Sequence, residues 1–206
     1  MGNLIEFVSG KEVPSRARTS SESGDDNLVV FQPKPSGTDL RGAEECYISG
    51  AAMINSNRDK AIEAFRKCLE LDPGHARAKI ELGNHSYYCT EYGPAEQFYL
   101  QAANDDPKLI SAHYNLGLLY TSLFRNQDAI TSLLKVLELS PDHADAHYSL
   151  GFLYDRIQDK SKAVRHMLIY VRLTNRQDPF YFSAKEIIRN SLPEGVVILE
   201  TRKPGA

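Results

Sequence analysis

The sequence lacks tryptophan, long apolar runs and paired cysteines. Its longest apolar stretches, such as GVVIL and MLIYV, are far shorter than the roughly 18 residues that a membrane-spanning helix needs, so we predict no membrane insertion. The first residues, MGNLIEFVSG, lack the basic start and long apolar region of a secretory signal, which favours a cytoplasmic protein. Cys46, Cys68 and Cys89 are an odd number without a Cys-x-x-Cys pair, which argues against disulfides and zinc fingers.

Neither sign of charge dominates, because 24 basic residues face 27 acidic ones and the net charge is −3. This balance gives no general attraction to nucleic acid, so we predict no direct nucleic-acid partner. The sequence also lacks a glycine-rich phosphate loop, Gly-x-Ser-x-Gly and His-Glu-x-x-His. We therefore expect no catalytic residues, cofactor or metal. His143, Asp145 and His147 in HADAH could be drawn as metal ligands, but a structural role in the turn and helix is the better prediction.

The sequence does contain a repeat of 34 residues. AHYNLGLLY at 112–120 is nearly duplicated as AHYSLGFLY at 146–154, and one further step of 34 lands on a third glycine in ELGNHSYY. Each glycine is followed by an alanine and a bulky residue, and prolines recur at the same interval: Gly83, Ala95 and Tyr99; Gly117, Ala129 and Leu133; Gly151, Ala163 and Met167; Pro73, Pro107 and Pro141. A weaker copy precedes these, with Ser49 where the glycine belongs.

The period has a physical explanation. Each copy holds two blocks of about 13 residues with apolar positions at helical spacing, each about 20 Å long, joined by a polar turn such as FRNQD. Glycine or alanine lets two helices approach closely, and the bulky residues fill the remaining space. One hairpin alone cannot bury its apolar faces, so each hairpin is expected to stack on the next.

This pattern of Leu-Gly-x-x-Tyr, Ala, a large residue, Ala and Pro resembles the tetratricopeptide repeat. Lys79, His113 and His147 stand where that family usually has tryptophan, as does Glu45 in the first copy. The resemblance implies an all-α fold, a right-handed superhelical stack of about four helix-turn-helix repeats. The predicted domain covers 41–175, with repeats at about 42–75, 76–109, 110–143 and 144–175.

Shorter segments flank the repeats. Residues 1–40 are rich in Ser, Pro, Gly and charge, which predicts a disordered N-terminal tail. We predict a capping helix over residues 176–192, because apolar residues recur there at helical spacing: Phe180, Ala184, Ile187 and Ile188. We expect residues 193–206 to form a C-terminal tail. The N-terminal tail holds two apolar islands, NLIEFV and NLVVFQ, and we hypothesise that one of them occupies the groove of the repeats.

The resemblance further implies that the first helix of each repeat lines a concave groove through its positions 2, 5, 9 and 12. In the three clear copies these are Arg77, Ile80, Asn84 and Tyr87; Ser111, Tyr114, Leu118 and Thr121; and Asp145, Tyr148, Phe152 and Asp155. In the first copy they are Ala43, Cys46, Gly50 and Met53.

Apolar residues on this open face suggest a ligand surface, here Ile80, Leu118 and Phe152. Some members of the family that the repeats resemble grip a terminal carboxylate with Lys, Arg and Asn in this groove. Asn84 matches one such place, but Ile80, Tyr114 and Tyr148 stand where a lysine would be expected. We therefore predict a non-catalytic adaptor for a protein or peptide partner with apolar anchors and a basic residue facing Asp145 and Asp155. The alternatives are a secretion or assembly chaperone and a regulatory or accessory subunit of an enzyme or transcription complex.

Overall fold

The computed structural model describes residues 39–192 as a succession of α-helices. Nine helices occur in this range: α1 Leu40–Met53, α2 Arg58–Leu71, α3 Ala76–Tyr88, α4 Tyr92–Asp105, α5 Ile110–Ser122, α6 Asn126–Leu139, α7 Ala144–Arg156, α8 Lys160–Leu173 and α9 Tyr181–Ser191. The predicted N-terminal tail up to residue 38, with both apolar islands, and the C-terminal tail lie outside the described residues. No helix within residues 39–192 has both the length and the apolar character needed to cross a membrane.

The first eight helices form four hairpins in which each odd-numbered helix packs on the even-numbered helix that follows it. Helices α2, α4 and α6 end two residues before Pro73, Pro107 and Pro141, as expected for a residue that cannot continue a helix. Successive hairpins also pack on each other, so the core runs continuously through the stack. The predicted all-α repeat architecture is therefore confirmed.

Each hairpin is closed by one glycine against one large side chain. A Cβ atom added to Gly117 would lie 2.7 Å from Leu133 Cγ, and one added to Gly151 would lie 2.8 Å from the Met167 side chain. Gly83 faces Tyr99 in the same way. These distances are shorter than any real carbon contact, so only glycine allows the two helices this close approach.

The first hairpin uses Gly50 instead of the predicted position 49. Ser49 is exposed, whereas a Cβ atom on Gly50 would lie 2.6 Å from the Phe65 ring. The predicted register of α1 is therefore wrong by one residue, because 33 and not 34 positions separate Gly50 from Gly83. The shift moves each groove position of α1 by one residue. These positions are occupied by Glu44, Tyr47, Ala51 and Ile54, and not by Ala43, Cys46, Gly50 and Met53.

Helix α9 packs on α8 and α7 through Tyr181, Ala184 and Ile188. Helix α9 lies beside α7, where the odd-numbered helix of a fifth repeat would lie. No even-numbered helix follows it among the described residues. Phe180 precedes the helix and is exposed, so it does not contribute to the buried side as its spacing suggested.

Replacing Gly117 by leucine is expected to destabilise the fold by at least about 1–3 kcal/mol, because the new side chain would overlap Leu133. Gly93→Ala is the matched control, since a Cβ atom there meets nothing within 4 Å. Urea denaturation followed by circular dichroism measures both variants. Equal unfolding midpoints for the two variants would contradict the packing described here.

Candidate functional site

Side chains of the odd-numbered helices meet along one side of the stack, which we call the odd-helix face. Asn115 Nδ2 of α5 donates to Asn84 Oδ1 of α3 at 2.9 Å. Three further bonds link neighbouring odd-numbered helices: Arg77 to Glu44 at 2.8 Å, Tyr87 to Ser122 at 2.8 Å, and Tyr148 to Ser183 at 3.3 Å. Several of the predicted groove residues therefore share one surface.

The predicted groove residues differ in how much of their side chains is accessible. The exposed members are Arg77, Ser111, Asp145 and Phe152; the half-buried members are Asn84, Tyr87, Tyr114, Leu118, Thr121, Tyr148 and Asp155. The prediction that Ile80 offers an apolar side chain to a ligand is wrong. Ile80 is only 5% exposed and belongs to the same core cluster as Tyr99 and Ala112.

Two other predicted residues already have partners. Asp155 Oδ1 forms a 2.7 Å ion pair with Lys160 Nζ, which neutralises the charge that we expected to face a basic ligand residue. Thr121 Oγ1 donates to the carbonyl of Gly117 at 2.7 Å within its own helix. Asp145, in contrast, is exposed and forms no ion pair among residues 39–192.

A polar network lies at the centre of the face, around Asn84. Its Oδ1 accepts from Tyr99 Oη and Asn115 Nδ2, both at 2.9 Å, so its Nδ2 points to Glu81 Oε2 at 3.4 Å. Burial raises the pKa of Tyr99 well above its usual value, which keeps its hydroxyl a donor at neutral pH. A pocket of about 90 Å³ adjoins this network and is lined by Asn84, Tyr87, Tyr88, Tyr99, Asn115 and Leu118.

Aromatic side chains dominate the opposite end of the face. Tyr148 and Phe152 on α7, with Phe180 and Phe182 at the start of α9, form what we call the aromatic end. Phe152 is 44% exposed and Phe182 is 66% exposed, and the Phe180 ring lies 4.9 Å from that of Tyr148. Sequence reasoning missed Phe182, although one further step of 34 residues from Tyr148 reaches it.

Phe124 is a second residue that the sequence did not single out. Its side chain is 76% exposed and its backbone has a φ of 58°, which bulky residues rarely adopt. The guanidinium carbon of Arg156 lies 5.3 Å from the Phe124 ring and 5.8 Å from the Phe152 ring. Arg156 thus connects the turn after α5 to the aromatic end.

The histidines of HADAH make bonds to the backbone. His147 Nε2 donates to the carbonyl of Pro141 at 2.9 Å, as His113 Nε2 does to Pro107 at 3.0 Å, and His143 Nδ1 accepts from the Ala146 amide at 3.2 Å. These bonds tie odd-numbered helices to the turns before them. Within residues 39–192 no group of three His, Cys, Asp or Glu side chains is placed to hold a metal ion.

Two parts of the chain match known sequence families. Residues 125–158 match the family described as TPR repeat, and residues 49–75 match the family described as Tetratricopeptide repeat. One curated relative, the UDP-N-acetylglucosamine--peptide N-acetylglucosaminyltransferase of Giardia intestinalis (strain ATCC 50803 / WB clone C6), is 31% identical over 97 residues, which cover 47% of this chain and 7% of that protein. The chain therefore spans a small fraction of this relative's length.

Solved structures share the fold. The crystal structure of MamA protein is 23% identical, with a TM-score of 0.63 over 73% of this chain and 81% of that one. The first TPR of Spaghetti (RPAP3), bound to HSP90 peptide SRMEEVD, is 18% identical, with a TM-score of 0.56 over 60% of this chain and 99% of that one. These likenesses agree with the helix packing described above and identify an all-α superhelical repeat stack.

Replacing Thr90 or Phe124 by glycine tests whether the Phe124 ring stabilises the fold. Thr90 and Phe124 both have positive φ, of 63° and 58°, so Thr90→Gly is expected to stabilise by about 1 kcal/mol. Phe124→Gly removes the same backbone strain, but it also removes the contact with Arg156, which is worth about 0.5–1 kcal/mol at an exposed site. We therefore expect little net change in the free energy of unfolding. Chemical denaturation of both variants measures this, and a large loss for Phe124→Gly would show that the ring supports the fold.

Acid is expected to destabilise the protein through His166. Its pKa is lowered to about 4, first by burial and then by the charges of His147, Arg165 and Lys162. Because an unfolded histidine has a pKa of about 6.5, only the unfolded state binds a proton between about pH 6.5 and 4, and stability falls across that window. His166→Gln should therefore show a smaller loss of thermal stability from pH 7 to 5 than the wild type. Parallel curves for the two proteins would refute this assignment.

Proposed function

We propose that this chain, which belongs to the tetratricopeptide-repeat family, is a non-catalytic adaptor that binds an extended segment of a partner protein along its odd-helix face. The observation that carries the proposal is the aromatic end, where Phe152 and Phe182 expose about half or more of their side chains. Large aromatic side chains left open on a surface are the residues that most often anchor a protein partner. The fold itself needs neither ring, because the hairpins close through the glycine contacts.

Two amide side chains at the centre of the face are suited to bind the backbone of an extended peptide. Asn84 and Asn115 are held in fixed orientations by the network that includes Tyr99. Primary amides pair readily with the backbone N–H and C=O groups of a peptide, which an extended segment presents along its whole length. The pocket beside them, bordered by Leu118 and Tyr87, offers space for a small side chain of that segment.

The charges of the face favour a different ligand from the acidic peptide SRMEEVD that the RPAP3 repeat binds. Tyr114 and Tyr148 are uncharged, and Ile80 is buried, so these three positions offer no cation to a carboxylate. Asp145 instead presents a negative charge. An acidic segment would meet repulsion here, whereas a neutral or basic segment would not.

Non-catalytic action and a cytoplasmic location are parts of the same proposal. The Nε2 atoms of His113 and His147 each donate to a backbone carbonyl, which favours a structural role for these histidines. The free thiols of Cys46, Cys68 and Cys89 suit a reducing compartment. The partner is therefore expected to be a protein of that compartment.

A displayed library of random twelve-residue peptides tests the proposal. Peptides selected on the full chain are expected to lose at least about 30-fold in affinity for the double variant Phe152→Ala and Phe182→Ala, as for hot-spot anchors. Leu134→Ala is the matched control, because Leu134 is 40% exposed on the even-numbered helix α6, and it should change affinity less than about twofold. Fluorescence polarisation with labelled peptides gives these affinities.

The synthetic peptide SRMEEVD serves as the ligand control and is expected to bind at least about tenfold more weakly than the selected peptides. Selected peptides that bind the double phenylalanine variant as well as the wild type would place the binding surface elsewhere on the molecule.

A further inference from the structure

Glu81 is a half-buried carboxylate on α3, one turn before Asn84 on the same side of the helix. Among residues 39–192 no Lys, Arg or His nitrogen lies within 4.0 Å of it. Its hydrogen bond within that range is a long one, in which Asn84 Nδ2 donates to Oε2 at 3.4 Å. A carboxylate can accept about four hydrogen bonds, so most of the acceptor capacity of Glu81 is unused inside the described chain.

The other acidic groups near this face have cationic partners, apart from the exposed Asp145. Glu44 accepts from Arg77 Nη2 at 2.8 Å through both oxygens, and Asp155 pairs with Lys160 at 2.7 Å. Arg77, one turn before Glu81 on α3, is directed to Glu44 instead, and its guanidinium carbon lies 4.6 Å from the centre of the Tyr47 ring. Glu81 therefore forms no ion pair with the described part of the chain.

Withdrawal of a carboxylate from water without a counter-charge costs free energy. The cost is visible in the raised pKa of Glu81, which burial causes and the Asn84 bond only partly offsets. Glutamine would make the same bond to Asn84 without this cost. The presence of glutamate and not glutamine at position 81 is therefore better explained by the binding of a cation from a partner than by a contribution to the stability of the fold.

The surroundings of Glu81 fit a planar or alkyl cation. Asn84 Nδ2 donates to the carboxylate, and the same asparagine also lines the neighbouring pocket with Tyr87, Tyr99 and Leu118, although Glu81 itself is not part of that lining. Aromatic and apolar walls accept the methylene stem of lysine or arginine while the charged head reaches a carboxylate. Arginine can in addition bond both carboxylate oxygens at once.

We propose that Glu81 binds a lysine or arginine side chain of the partner segment and makes the odd-helix face specific for a basic residue at α3. This inference rests on the proposed function, and it defines the ligand as basic at one end and apolar at the other. From α3 to α7 there are two steps between neighbouring odd-numbered helices, or about 20 Å at 8–10 Å per step. An extended segment covers that distance with about six residues, which sets the spacing between the basic residue and the anchor at Phe152.

The test repeats the random-peptide selection on the full chain and on Glu81→Gln. The wild type should enrich peptides with Arg or Lys about six residues from an aromatic residue. Glu81→Gln should keep the aromatic enrichment and lose the basic one. Glu70→Gln on the even-numbered helix α2 is the matched control, since it makes the same charge change at an exposed acid away from the odd-helix face and should keep both enrichments.

Affinities then measure the size of the effect. Replacing the arginine of the best wild-type peptide by citrulline, its neutral analogue, should weaken binding about 10- to 100-fold for the wild type and less than about twofold for Glu81→Gln. Glu81→Gln should unfold at a midpoint no lower than that of the wild type, which shows that the substitution leaves the fold intact.

The outcomes separate the two proposals. Aromatic enrichment without basic enrichment, or equal basic enrichment for the wild type and Glu81→Gln, would overturn the role of Glu81 and leave the adaptor function standing. Selection of no peptides that depend on Phe152 and Phe182 would overturn the adaptor function, and the role of Glu81 with it.

Discussion

The close contact between a glycine on each odd-numbered helix and a large side chain on the following helix is the constraint on which the structure depends. Gly117 against Leu133 and Gly151 against Met167 set the distance between the two helices of a hairpin. Because the same contact recurs in every hairpin, successive units have nearly the same shape. Units of the same shape stack with the same rotation, which aligns all odd-numbered helices on one side.

That alignment brings side chains of neighbouring repeats into contact. Asn84 reaches Asn115 and Tyr148 reaches Ser183 because each pair lies on neighbouring odd-numbered helices at nearly the same height. A surface built in this way is long, and its chemistry changes from one repeat to the next. Here it changes from polar and acidic around α3 to aromatic around α7 and α9, so an extended ligand of the proposed kind would meet different chemistry at its two ends.

Charge on this surface is divided between groups that serve the fold and groups that face solvent. The ion pairs of Glu44 with Arg77 and of Asp155 with Lys160 join neighbouring elements and leave little net charge. Glu81 and Asp145 have no such partner within the described part of the chain. Under the proposed function, these carboxylates and the aromatic end together would select a ligand by charge as well as by shape.

The sequence by itself determined the repeat architecture, since the spacing of Gly83, Gly117 and Gly151 is a local property that each hairpin satisfies independently. It also placed Phe152 on an exposed position of the odd-helix face. The register of the first hairpin was not determined, because a single residue fewer before Gly83 shifts α1 without altering its helical pattern.

Only the tertiary structure decided which of the aligned positions are exposed and unpaired. Ile80 is buried because side chains of adjacent repeats cover it, and Asp155 is neutralised by a lysine on the next helix. Phe182 reaches the face because α9 takes the place of a fifth odd-numbered helix. Exposure and pairing depend on neighbours that are distant in sequence, and helical periodicity carries no information about them.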